Sequence, residues 1–151
     1  MRELRSEIDI DAPPSAVWKV LTDFASFPNW NPFIREASGS LKVGERLRVR
    51  IHPPGGRAMT FRPKVLVCDE NRELRWLGHL LVPGLFDGEH IFALEPRDGG
   101  THFVQREEFN GIFVPLMWSS LDENVRQGFE EMNRALKDRA EGARGGEGAR
   151  P

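Results

Sequence analysis

The sequence has no tyrosine and one cysteine among its 151 residues. The first absence removes a common phenolic acid–base group from any mechanism. The second excludes an internal disulfide, and a lone thiol agrees with a reducing cytoplasm, the location expected for the chain. The apolar neighbours of Cys68 in "VLVCDE" point to an inert buried thiol rather than a nucleophile. No apolar run approaches the roughly 20 residues that a membrane-spanning helix needs, so no membrane insertion is expected. The opening "MRELRSEIDID" is charged and alternating, without the apolar segment of a secretory signal. Neither sign of charge dominates. The formal net charge of −2 supplies no field that would recruit nucleic acid. Chemical signatures are missing as well. There is no GxGxxG or GxxxxGK(S/T) phosphate loop, no HExxH, no CxxC and no GxSxG elbow. His52, His79, His90 and His102 are not spaced as metal ligands, so neither a metal nor a cofactor is expected.

What is present is a series of patterned segments. Hydrophobic residues make up 39% and charged residues 29%, which suits one soluble domain with one core. Residues 2–10 alternate, with Leu4, Ile8 and Ile10 on one face, and predict a half-buried strand. In "DAPPSAVWKVLTDF" the period changes. Asp11 is placed to cap, Pro13 and Pro14 suit a helix entrance, and Val17, Val20, Leu21 and Phe24 recur at helical spacing. "FASFPNW" predicts a second short helical turn or a bend.

Strand patterns come next: "FIREASGSL", "ERLRVRI", "MTFRPKVLV" with Pro63 marking an edge or a bulge, "LRWLGHLL", and the pair "EHIFALE" and "THFVQREEF" around "PRDGG". The arginines of "ERLRVRI" read as a solvated strand face. From Pro115 onward Met117, Leu121, Val125, Phe129, Met132 and Leu136 mark an amphipathic helix, expected as one element over 116–138. Runs of strands with segregated helices predict an α+β fold. A twisting antiparallel sheet of six to seven strands should curl around the long C-terminal helix, with two short helices after the first strand. The domain is expected over 1–141. The Gly-rich, charged end, 142–151, is expected to form a disordered tail.

The stretch "FPNWNPFI", 27–34, combines two prolines with Phe27, Trp30, Phe33 and Ile34. The prolines stop a helix, and the apolar groups demand burial. A corner plug sealing the joint between helix and sheet accounts for both, with direct ligand contact by Trp30 or Phe33 as the alternative. If "PRDGG" closes its hairpin symmetrically, Leu94 faces Phe103, Phe92 faces Gln105 and His90 faces Glu107. All six then share one face, and the apolar members make it the inner one. His90 and Glu107 become the candidate catalytic pair, with Gln105 beside them. They either orient or protonate a ligand, or form a satisfied structural pair; a one-residue slip would remove the cluster. "WLGHLLVPGLFDGEH" is too apolar for a plain exposed loop. It predicts either a flap over a cavity or a loop packed on the long helix.

Three stretches carry a family likeness: "IDAPPSAVWKVLTDFASFPNWNPFI" (10–34), "GEHIFALEP" (88–96) and "THFVQREEFNGIFVPLM" (101–117). With the element order, they resemble the START-like or SRPBCC superfamily, which includes the birch-pollen-allergen fold and the bacterial polyketide cyclase/dehydrase group. The likeness spans residues 3 to 140. It implies a helix-grip fold with an apolar cavity between sheet and C-terminal helix, and a small hydrophobic or amphipathic ligand there. The expected lining is Trp30, Phe33, Trp76, Leu80, Phe86, His90, Phe92, Gln105, Glu107, Met117, Leu121 and Val125. Two further activities occur within such a family: cyclase/dehydrase-like catalysis in the same cavity, and co-chaperone-like protein interaction without a ligand. The Gly-rich loop of the plant allergens and the Cys- and His-bearing motifs of iron–sulfur hydroxylase subunits are absent. No protein partner is named by the residues. Deleting 142–151 is expected to leave the melting temperature almost unchanged; a thermal melt of the truncated chain that drops by several degrees would show that the tail docks.

Overall fold

The computed structural model describes the backbone of residues 1–149 and the side chains of residues 1–142. Strand β1 (Arg2–Ile10) is followed by α1 (Pro14–Thr22), a 3-10 turn (Phe24–Ser26) and the single-turn helix α2 (Phe27–Trp30). Seven strands come after it: β2 (Ile34–Ser38), β3 (Arg48–Ile51), β4 (Met59–Phe61), β5 (Lys64–Asp69), β6 (Glu73–His79), β7 (Asp87–Arg97) and β8 (Gly100–Asn110). The last segment is helical from α3 (Val114–Ser120) through a π-helical turn (Leu121–Val125) into α4 (Arg126–Ala149). The fold is α+β and antiparallel, with the helices segregated from the sheets. No helix among the described residues is long and apolar enough to cross a membrane.

Eight strands form two sheets, in the orders β1-β8-β7-β6-β5 and β2-β3-β4. This corrects the expectation of one sheet of six or seven strands. Pro63 is the cause. It has no N–H to give a ladder, and it splits the run 59–67 into β4 and β5, which join different sheets. A register shift between Val65 and Val67 bends β5 further. Met59 is exposed, whereas Val65 beyond the break is buried. The two sheets still meet through backbone: Leu47 N–H donates to Pro63 O at 2.8 Å, and Val65 N–H donates to Glu45 O at 2.9 Å.

The helical face also departs from a plain stripe. The π turn inserts extra backbone per turn and rotates the residues beyond it. Met117, before that turn, and Val125, within it, are only half-buried, whereas Phe129, Met132, Leu136 and Ala140 beyond it are buried in the core. α4 packs on β1, β8 and α1. It continues to Ala149, into the segment expected as a disordered tail over 142–151. The side chains of 143–149 and the whole of 150–151 lie outside the described residues. At α1 the expected cap is absent: the N-cap is Pro13, with no side-chain cap bond. The backbone N–H of Asp11 instead donates to the Glu141 carboxylate of α4 at 2.8 Å.

"FPNWNPFI" forms the corner from α2 into β2. Asn31, fully buried, accepts from Phe33 N–H at 3.0 Å and from Ile34 N–H at 2.8 Å, which reverses the chain. Phe27 packs edge-on against Phe24 and Trp30. Phe33 meets Phe129 edge-to-face at 5.6 Å. Its ring also covers Gly128, where a Cβ would overlap the ring carbons. Helix propensity alone favours alanine there by roughly 1 kcal/mol, and overpacking costs about 1–3 kcal/mol. Gly128→Ala is therefore expected to destabilise the fold. Urea titration of Gly128→Ala, Phe33→Leu and the double variant should show that the smaller ring-site residue recovers most of the loss.

On the outer face of β8, His102 places Nδ1 2.7 Å from Asp9 and Nε2 2.7 Å from Glu7. The Asp9 hydrogen bond, and then the Glu7 one, raise the imidazole above its ordinary value. Arg5 and His102 together lower Glu7, and His102 lowers Asp9. A raised folded value stabilises fully below the unfolded value of about 6.5 and loses that contribution as pH rises through the folded one. The wild-type melting temperature should fall over that interval. His102→Gln should flatten the fall; an unchanged pH profile would show that the cluster does not couple to folding.

Candidate functional site

The turn that builds the site is Asp98–Gly99. Its residues have φ of 51° and 81°, the left-handed pair that a tight hairpin of right-twisted strands uses. It fixes the register Leu94↔Phe103, Phe92↔Gln105 and His90↔Glu107. β1 and β6 extend each pair into a row across the sheet. One row runs Trp76, His90, Glu107, Leu4, and the next runs Leu74, Phe92, Gln105, Ser6. A third starts with Gly78 opposite Gly88 and reaches Phe109. Two facing glycines leave this third row without side chains over β6 and β7.

The gap is a cleft between the two sheets. Val49, Ile51, Phe61, Pro63, Trp76, Gly78, Phe86, Gly88, His90 and Glu107 line it. The walls are apolar and the polar groups sit together at one place. Gly88 is what makes room for Glu107: a Cβ there would overlap the carboxylate Oε2.

His90 is almost fully buried and stacks on Phe92 at 4.4 Å. Its Nδ1 lies 3.4 Å from Glu107 Oε1, an ion-pair distance. Its Nε2 lies 2.9 Å from Gln105 Oε1. Gln105 Nε2 donates to Asn133 Oδ1 at 2.8 Å, and Asn133 Nδ2 donates to Ser6 Oγ at 3.0 Å. A polar chain therefore runs from the cleft through the core to α4 and back to β1. Every link satisfies a group whose burial alone would be costly. With Gln105 Oε1 accepting, Nε2 carries a proton.

Of the residues expected at a ligand site, Trp76, Phe86, His90 and Glu107 line this cleft. Gln105 and Phe92 lie one row deeper and hold the imidazole. Trp30 and Phe33 belong to the corner. Leu80 begins the loop, its N–H bonded to Phe86 O at 2.9 Å. Met117, Leu121 and Val125 sit on the helical segment and are not part of the lining. The loop 80–86 is clasped at its base by His79 and Asp87, 2.6 Å apart. Ile112 and Phe113 N–H bond its carbonyls at Gly84 and Leu85. It thus docks on the entrance to α3 and contributes Phe86 to the cleft, while Leu81 and Val82 are exposed.

Sequence reasoning missed Gly78, Gly88, Asn133, Ser6 and the β3–β4 wall. Asn133 did leave a signal, as a polar residue on the apolar stripe of α4. So did Ser6, between Leu4 and Ile8. Cys68 is half-buried; burial first, then Asp69 and Glu70, push its thiol up and keep it protonated. That disfavours nucleophilic chemistry there.

No curated protein matches the chain. Solved structures do. TTHA0849 from Thermus thermophilus is 21% identical at a TM-score of 0.74, covering 94% of this chain and 99% of that one. The Zhui aromatase/cyclase from Streptomyces sp. R1128 is 16% identical at 0.74, covering 93% of each. Ara h 8.0201 is 18% identical at 0.70, covering 93% of this chain and 98% of that one. At these identities the likeness establishes the fold alone, a helix-grip arrangement of antiparallel sheet and long C-terminal helix. A family model described as polyketide cyclase / dehydrase and lipid transport matches residues 1–141, and on that match the chain belongs to this family.

Proposed function

We propose that the protein binds a small, largely apolar molecule in the cleft between its two sheets, with one polar group of the ligand held at the His90–Glu107 end. The observation that carries this reading is the composition of the cleft. Apolar walls from both sheets converge on a single polar pair, in a gap kept open by Gly78 and Gly88. Binding sites for small molecules have this character: apolar area for affinity and a few placed polar groups for orientation. The family description and the likeness to an aromatase/cyclase support a ligand-handling role.

A second reading is favoured by one further observation. His90 Nδ1 and Glu107 Oε1 lie 3.4 Å apart in the cleft. Such a pair suits general acid–base work on a reactive carbonyl chain folded by the walls, in the cyclase/dehydrase manner. Turnover of a poly-carbonyl substrate separates this from binding alone.

Gly78 provides the test of the cleft itself. An added Cβ there meets only ordinary contacts, with Pro63 at 3.7 Å and Phe61 at 4.0 Å. Gly78→Leu should therefore fill the cleft while the far-UV spectrum stays native. Native mass spectrometry of the wild-type chain is expected to show co-purifying small molecules, and Gly78→Leu should lose them. Equal ligand occupancy in both chains would remove the cleft as the binding site.

A further inference from the structure

We propose that the ligand's polar group is a neutral hydroxyl that donates its hydrogen bond to Glu107 Oε2. The inference rests on the cleft reading above and specifies the chemistry that the polar end accepts.

The argument is an inventory of donors and acceptors. Among the described residues no lysine or arginine lines the cleft, and His90 is its one basic side chain. The ring is committed on both edges, with Nε2 on Gln105 and Nδ1 turned to Glu107 Oε1. Gln105 is fixed in turn by Asn133, and Asn133 by Ser6. The imidazole therefore has no free edge to offer an anionic ligand. The other carboxylate oxygen, Oε2, lies over Gly88 inside the cleft, in the space that a Cβ would occupy. Among the described residues no donor reaches it. The Glu107 side chain is 15% exposed.

A carboxylate oxygen in this position selects by what it lacks. An ether or ketone brings another acceptor and leaves Oε2 without a partner. A ligand carboxylate adds like charge in apolar surroundings. A hydroxyl, whether alcohol, phenol or enol, supplies the missing donor with no net charge, and the bond to an ionised acceptor is of the stronger kind. A site built to bond a hydroxyl discriminates strongly against the analogue without it.

The test uses three flat two-ring probes of similar size: 2-naphthol, 2-methoxynaphthalene and 2-naphthoate. Affinities are measured by calorimetry, with quenching of tryptophan fluorescence as a second readout. In the wild-type chain 2-naphthol should bind about tenfold or more tighter than 2-methoxynaphthalene, and 2-naphthoate should bind weakest. Glu107→Met, which removes the acceptor, should abolish the preference by weakening 2-naphthol alone. Glu107→Gln, which keeps a neutral acceptor, should give an intermediate ratio. Equal binding of the two neutral probes, or tighter binding of the naphthoate, overturns the proposal while leaving the cleft as a binding site. Binding of neither neutral probe, or undiminished 2-naphthol binding in Gly78→Leu, removes the cleft reading and this inference with it. If Glu107→Met fails to fold, the wild-type ratio and Glu107→Gln decide the matter.

Discussion

The register between β7 and β8 is the constraint on which the rest depends. Two residues in left-handed conformation, Asp98 and Gly99, close the hairpin and set every pair along eleven-residue strands. Because side chains alternate, a slip of one position in β7 would turn Phe92 and Leu94 to the face opposite Phe103. The core and the polar site therefore stand or fall together. The same pairing that buries Phe92 beside Gln105 places His90 beside Glu107. β1 and β6 inherit the register, which is why Ser6 and Trp76 arrive in the same rows.

Within that frame the polar chain is a cost that packing must offset. His90, Gln105 and Asn133 are each at most 2% exposed. An apolar replacement of the whole set would satisfy the core as well, since a buried hydrogen bond contributes only about 1 kcal/mol net while an unmet one costs about 1–3 kcal/mol. The chain has one end in the cleft, at Glu107, and the other at Ser6 on the edge strand. Its members hold one imidazole in one orientation, wedged between Phe92 and Phe129. Rigidity of that kind suits a site that must present one carboxylate oxygen in a fixed place.

The cleft owes its position to two breaks in regularity. Pro63 parts β4 from β5 and lets the small sheet fold over the large one, supplying Val49, Ile51 and Phe61 as an opposing wall. Gly78 and Gly88 thin the large sheet where that wall approaches. The helical segment fills the neighbouring space with Phe129, Met132 and Leu136. The corner 27–34 serves the same arrangement from outside: Asn31 turns the chain and Phe33 presses on Gly128, which sets how closely α4 approaches the small sheet.

Much of this was legible in the residues, because it derives from local periodicity. Alternation in 2–10, the Asp-Gly turn flanked by apolar strands, and the stripe from Met117 to Leu136 depend only on which neighbours share a face. Those patterns determined the α+β class, the hairpin register and the pairing of His90 with Glu107. The π turn at Leu121–Val125 left no mark, since an inserted turn changes backbone geometry without changing the spacing of apolar letters. Neither did the division into two sheets, because Pro63 announces a break but not which partner each half will find. Asn133 meets Gln105 across 28 positions, Ser6 meets Asn133 across 127, and Gly78 faces Gly88 only once β6 and β7 are paired. The sequence by itself determined which residues point inward. Only the tertiary structure decided which inward residues touch, because contacts between distant segments depend on how sheets and helix pack, and no local period encodes that.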